Sequence, residues 1–279
     1  MSAFLEYDCA ALDAQYFVRG YLPEWDDKIE EFKALSATRH AVGRMHLDLP
    51  YGDHPRQKMD VFLPENVRPD APVLVFFHGG YWRMMDKSQF GFVAVTAEVA
   101  GAITVVPNYR LLPDASLEQI IEDACDAVRW VLGNIAQYSG DPGKIVLCGH
   151  SAGAQLAAQV TTHVGRQFRA MIGISGIYDL RPIAASFLNE IGFLDAGTLQ
   201  KFPAPEAVSA LPCCGELVFG GAEPEELSRQ SSEQATYWQR PGSTSTLTCI
   251  HDANHATIVE QLKDPSSQLG QIVTKKLTL

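Results

Sequence analysis

The chain has 279 residues, 46% of them hydrophobic and 20% charged, with a formal net charge of −11 at pH 7. This is the composition of a folded chain long enough to bury a sizeable core, and it excludes a disordered one. The negative charge repels phosphate backbones and anionic lipid surfaces, and no basic run is interleaved with aromatics, so neither nucleic acid nor a membrane is an expected partner.

The opening residues 1–8 lack a positive segment followed by an apolar stretch, and no apolar run approaches the ~20 residues of a membrane span. The expectation is a cytoplasmic protein. Six cysteines stand at positions 9, 125, 148, 213, 214 and 249. None forms a CxxC pair and no Cys/His group has zinc-ligand spacing, so reduced thiols and no metal are expected.

In chain order, residues 1–60 form a leading segment whose candidate role is to cap a pocket. Within it, Trp25–Ala37 reads as a helix, and Gly43–Leu49 with Lys58–Leu63 as an antiparallel hairpin. Beyond it, short apolar runs rich in Val, Ile and Phe alternate with longer amphipathic stretches. The runs Val73–Phe77, Ile103–Pro107, Ile145–Cys148, Ala170–Ile174, Leu217–Gly220 and Ser245–Ile250 read as buried strands. Ser116–Tyr138, Ala152–Val164, Glu225–Trp238 and Ala256–Leu262 read as helices. The first of these has Ser116 as its N-cap and a stripe of Leu117, Ile120, Ile121, Ala124, Val128 and Val131. Strand–helix alternation predicts an α/β fold: one domain over 1–279, with a mostly parallel central sheet and helices on both faces.

Two motifs carry chemistry. Gly149-His150-Ser151-Ala152-Gly153 lies between an apolar run and an Ala-rich helical stretch. This is the strand–turn–helix context of a G-x-S-x-G elbow, which pushes a serine hydroxyl into the open in front of a helix N-terminus. His78-Gly79-Gly80-Tyr81-Trp82 follows the run Val73–Phe77. Adjacent glycines let a backbone approach a ligand and turn its N–H groups inward. With the N–H of Ala152, those of Gly79 and Gly80 form a candidate oxyanion hole.

Together the motifs resemble the α/β-hydrolase fold with an HGG oxyanion loop, over nearly all of residues 60–265. That resemblance implies the chain order serine, acid, histidine. It makes Ser151 the nucleophile and His255, after the last strand, the base, with His251 as competitor. It makes Glu223, the first carboxylate past Gly215–Gly221, the acid. Asp252 and Asp179 remain alternatives, while Glu225 and Glu226 suit the first turn of a helix.

A narrower resemblance rests on His78-Gly79-Gly80-Tyr81-Trp82-Arg83, Ser228-Arg229-Gln230-Ser231, His255 to Leu262, Leu12 to Tyr16 and Pro50-Tyr51-Gly52. These are similar to the kynurenine formamidase (arylformamidase) branch. The resemblance implies hydrolysis of an N-formyl arylamine, with N-formyl-L-kynurenine as the reference substrate and no cofactor. The chain departs from that branch in its Glu223 and in Pro224-Glu225-Glu226-Leu227, where Asp and Ser-Pro-Glu-Phe are the expected pattern. The stretch Pro107–Asp114 resembles hormone-sensitive-lipase-like carboxylesterases and is expected to anchor a loop.

Tyr81 is expected to narrow the acyl side of the pocket, and Tyr81 and Trp82 to stack on an aromatic substrate. A small-acyl carboxylesterase or thioesterase is the alternative, and a non-catalytic ligand-binding protein a more distant one. The expected partner is a small-molecule substrate; a homodimer is left open.

Overall fold

The computed structural model describes residues 4–165, 168–203, 213–239 and 244–279. Its eight strands are β1 (Arg44–Pro50), β2 (Lys58–Leu63), β3 (Ala71–Phe77), β4 (Ile103–Pro107), β5 (Gly140–His150), β6 (Ala170–Ile174), β7 (Cys214–Gly220) and β8 (Ser245–Ile250). They form one sheet in the order β1-β2-β4-β3-β5-β6-β7-β8. The hairpin β1–β2 and the pair β2–β4 are antiparallel. From β4 to β8 every pairing is parallel, with Val75 facing Val105 on one side and Leu147 on the other.

The helices are α1 (Cys9–Tyr16), α2 (Val18–Tyr21), α3 (Trp25–Ala41), α4 (Ala94–Val99), α5 (Leu117–Asn134), α6 (Ala152–His163), α7 (Arg181–Ala184), α8 (Ala196–Lys201), α9 (Glu225–Trp238), α10 (Thr257–Glu260) and α11 (Gln268–Thr278). None of the described helices is long and apolar enough to cross a membrane.

The alternation of β3 decides which layer each side chain joins. Val73, Val75 and Phe77 enter a core shared with α5, α6 and α9; Leu74 and Phe76 enter a second core shared with α3, α4 and α11. Both faces of the central strands are therefore buried, which is why their sequences run apolar without alternation.

Helix α5 starts as its sequence dictates: Ser116 Oγ accepts the Gln119 N–H and the Gln119 side chain returns to the Ser116 N–H. Such a cap contributes about 1 kcal/mol. The expected helix Ala256–Leu262 is instead a single α-turn, α10, followed by a 3₁₀ turn, Gln261–Lys263.

Parallel strands leave their carboxyl ends on one edge, where the connecting loops gather. His78 follows β3, Ser151 follows β5, Glu223 lies past β7 and His255 lies past β8. The topology thus brings four distant segments to one edge of the sheet.

Candidate active site

Ser151 sits between β5 and α6 with φ 56° and ψ −123°. Its N–H donates to the Ile174 carbonyl, and its own carbonyl accepts the Ala154 N–H. The turn is tight enough to require both flanking glycines: a Cβ on Gly149 would lie 2.1 Å from the Gly153 carbonyl oxygen, and one on Gly153 2.1 Å from that of Phe77. The strand–turn–helix expected at this motif is present, β5 running into Ser151 and Ser151 into α6.

His255 and Glu223 are directly bonded. His255 Nδ1 lies 2.5 Å from Glu223 Oε1, and both side chains are almost fully buried. A carboxylate can only accept, so Nδ1 carries the proton and Nε2 is left as the basic nitrogen. The other carboxylate oxygen accepts the Ser175 hydroxyl at 2.7 Å and the Gly220 N–H at 2.6 Å. Two backbone bonds tie the loops that carry the pair, Gly221 N–H to the Ile250 carbonyl and Ala222 N–H to the Ala253 carbonyl. Asn254 Oδ1 accepts the N–H groups of Ala256 and Thr257, which fixes the turn that presents His255.

The alternatives are placed elsewhere. Asp179 is committed to Arg181 through a two-oxygen ion pair. Asp252 and His251 are exposed. Glu226 is buried beneath Arg229 and accepts the Tyr16 hydroxyl. Among the acids weighed, Glu223 is the one that touches His255.

The loop after β3 is held from behind. Tyr109 Oη donates to the His78 carbonyl at 2.7 Å and stacks on the His78 ring at 4.4 Å. Leu112 N–H donates to the Trp82 carbonyl, and Arg110 pairs with Asp123. The Pro107–Asp114 stretch therefore anchors this loop, as expected. Gly79 abuts the elbow: a Cβ there would lie 3.1 Å from Ser151 Cβ. Among the described residues no acceptor takes the backbone N–H of Gly79 or Gly80. Ala152 is the first residue of α6, where helix geometry leaves the N–H unpaired.

Tyr81 and Trp82 both have left-handed backbones, φ 50° and 58°. This turn sends their rings opposite ways. Tyr81 lines the pocket and donates its hydroxyl to the Tyr16 carbonyl at 2.8 Å. Trp82 departs from expectation: its indole is 0% exposed, belongs to the core and tilts against Phe193 rather than lining the pocket. A ring this large is better accommodated in the core than at a wet rim.

The pocket in front of Ser151 encloses about 160 Å³. Its lining includes Ser151, His255, His150, Gly80 and Tyr81 from the sheet edge. Tyr16, Phe17, Val18, Arg19 and Trp25 come from the leading segment. Trp25 stacks on His255, ring centroids 6.4 Å apart at 28°. His150, which precedes the nucleophile in the elbow, also lines the pocket, 4.5 Å from the His255 ring. Burial, and then the neighbouring His255, push its pKa well below the ordinary histidine value. His78 is likewise held neutral by burial, its pKa lowered to about 4. No group of three or more metal-ligating side chains occurs among the described residues.

The contributions of Trp25 and Ser175 to this site were not legible in the motifs. Each arrives through contacts distant in sequence, and neither lies at a spacing that marks it, whereas Arg83 stands in the quoted His78–Arg83 motif, which assigned it no role.

The family described by the alpha/beta hydrolase fold matches residues 74–204. The chain is 30% identical over 260 residues to a kynurenine formamidase of Danio rerio, covering 89% of this chain and 87% of the relative. It is 31% identical over 245 residues to that of Salmo salar, covering 83% and 81%. A solved structure from Silicibacter sp. TM1040, provisionally assigned as a thioesterase, superposes with a TM-score of 0.82 at 30% identity, covering 94% of this chain and 98% of that one. With an elbow serine, an HGG loop and relatives matched across most of both chains, this protein belongs to the kynurenine formamidase family of α/β-hydrolase-fold serine hydrolases.

Proposed function

We propose that the enzyme hydrolyses N-formyl arylamines, N-formyl-L-kynurenine being the reference substrate, through a formyl-serine intermediate. The observation that carries this reading is the hydrogen-bonded His255–Glu223 pair opening onto the same small pocket as Ser151. A volume of about 160 Å³ suits one aromatic ring and a very short acyl group.

In the proposed mechanism His255 Nε2 takes the Ser151 proton as the oxygen attacks the formyl carbon. The Ser151–His255 hydrogen bond is not made in the structure, and such bonds commonly tighten only with substrate in place. The tetrahedral oxyanion is met by the N–H groups of Gly79, Gly80 and Ala152 at the positive end of α6. Glu223 stabilises the imidazolium that results. His255 then protonates the departing arylamine nitrogen, the C–N bond breaks, and the formyl group stays on Ser151. Water, deprotonated by the same imidazole, attacks the ester; formate leaves and the serine regains its proton. Every step uses groups of this chain, the substrate and water. The leading segment serves as the pocket cap.

Likeness to the provisionally assigned thioesterase supports a second reading, cleavage of short-acyl esters or thioesters by the same residues. Purified protein assayed with N-formyl-L-kynurenine and with short-chain p-nitrophenyl esters separates the two. Preference in kcat/KM for the formyl arylamide, abolished in Ser151→Ala, is the expected result. Fast ester turnover without deformylation would move the enzyme to the second reading.

A further inference from the structure

The pocket is lined by two arginines and by no aspartate or glutamate. This is an unusual balance in a chain whose net charge is −11. The two arginines differ. Arg19 is satisfied by Asp26, with Nη2 and Nε 2.7 and 3.1 Å from the carboxylate oxygens. Arg83 has no carboxylate within ion-pair distance among the described residues. Its Nη2 donates to the Leu188 carbonyl, and its guanidinium lies 5.5 Å over the Phe193 ring. These two contacts fix the plane of the group while leaving most of its five N–H donors unclaimed. Partial burial lowers its pKa from the ordinary arginine value, and Glu190, outside ion-pair distance, offsets that only in part.

A planar guanidinium held rigid in an acid-free apolar wall matches a carboxylate in charge and in fork geometry. The acyl half of a formyl substrate has no carbon that could bear one. We infer that Arg83 binds a carboxylate on the leaving-group half of the substrate, so that the enzyme selects acylated aromatic molecules that are anionic. The inference rests on the proposed assignment of Ser151 as nucleophile, but it does not require the scissile bond to be an amide. Arg83 is thus a specificity-determining residue. The anion is recognised at the wall of the pocket and the chemistry proceeds at the elbow.

The test compares matched pairs differing only in that charge. N-formyl-L-kynurenine is set against its carboxamide, and 4-acetoxybenzoate against 4-acetoxybenzamide, as kcat/KM ratios in the wild-type protein and in Arg83→Gln and Arg83→Lys. The wild type is expected to favour the acid by about tenfold or more, with the preference weakening at raised ionic strength. The ratio falls toward one in Arg83→Gln and is partly kept in Arg83→Lys.

Equal turnover of acid and carboxamide by the wild type overturns the inference, as does loss of both substrates in Arg83→Gln at an unchanged ratio. Should Arg83→Gln fail to fold, the wild-type ratio and its salt dependence still decide. An acid preference on the ester pair without deformylation would retire the formamidase reading and keep Arg83. Deformylation without acid preference would do the reverse.

Discussion

Ser175 donates its hydroxyl to the Glu223 oxygen that His255 leaves free, at 2.7 Å. The carboxylate is thereby held on both oxygens, and its orientation toward the imidazole is set by a residue outside the motifs. Ser175→Ala is expected to lower kcat/KM by about tenfold by loosening that orientation. Glu223→Gln, which keeps the shape and loses the charge, is expected to cost about 10³–10⁴. Steady-state kinetics on variants with wild-type circular dichroism check both values. Full activity in Ser175→Ala would leave the second donor, Gly220 N–H, sufficient by itself.

The left-handed backbone at Ser151, φ 56°, stores strain that any side chain there must carry. Ser151→Ala and Ser151→Gly both abolish turnover in the proposed mechanism. They part in stability: the glycine variant is expected to be more stable than the alanine one by about 1 kcal/mol, because it occupies that conformation without a Cβ. Urea unfolding of the two variants measures the difference, and equal midpoints would mean the elbow is unstrained.

Trp25 is 7% exposed, lines the pocket and stacks on His255. Trp25→Ala is expected to destabilise the protein by about 3–5 kcal/mol and to enlarge the pocket beside the imidazole. Relative kcat/KM for butyryl over acetyl p-nitrophenyl esters should then rise. A variant that loses stability with the acyl preference unchanged would remove Trp25 from the acyl side of the pocket.

His78 and His150 are buried and neutral, with pKa values lowered to about 4 and well below the ordinary value respectively. In the unfolded chain each titrates near 6.5. Between the folded and unfolded values the unfolded state binds more protons, so stability is full above about pH 6.5 and falls as pH drops. The expected loss between pH 6.5 and 5 is about 2 kcal/mol for His78, and His150 adds a loss of the same sign. It comes at higher pH than the acid loss of the carboxylates. Unfolding free energies measured at pH 7 and pH 5 test this, and a flat profile would mean that both rings take up a proton in the native state.

The parallel core was legible because fully buried strands such as Val73–Phe77 and Ala170–Ile174 declare themselves as unbroken apolar runs. The elbow and the HGG loop were legible because steric need writes glycines at fixed spacing. Boundaries were less so: α3 continues to Ala41 and β5 begins at Gly140, where backbone pairing rather than side-chain pattern decides. Helix α11 carries Leu269, Val273 and Leu277 on one stripe but follows the Pro265-Ser266-Ser267 break that masked it. Trp82 was misplaced because motif position says where a residue lies in the chain and not which way a left-handed turn aims its ring. Ser175, with φ 48°, reached Glu223 through the same kind of turn.

Tyr16 is clasped at both ends. Its hydroxyl donates to buried Glu226 on α9, and its carbonyl accepts the Tyr81 hydroxyl. One wall of the pocket therefore belongs to residues that precede the first strand, fastened to the scaffold by these polar bonds and by the burial of Leu12, Tyr16 and Leu22 in the cores. Such a wall is a replaceable part: grafting the first two dozen residues of a relative, with the Tyr16 clasp retained, would redraw the shape of the cavity while the catalytic edge stayed as it is. Substrate range in this fold can then drift through its N-terminal strap without a single change at the sheet edge that performs the chemistry.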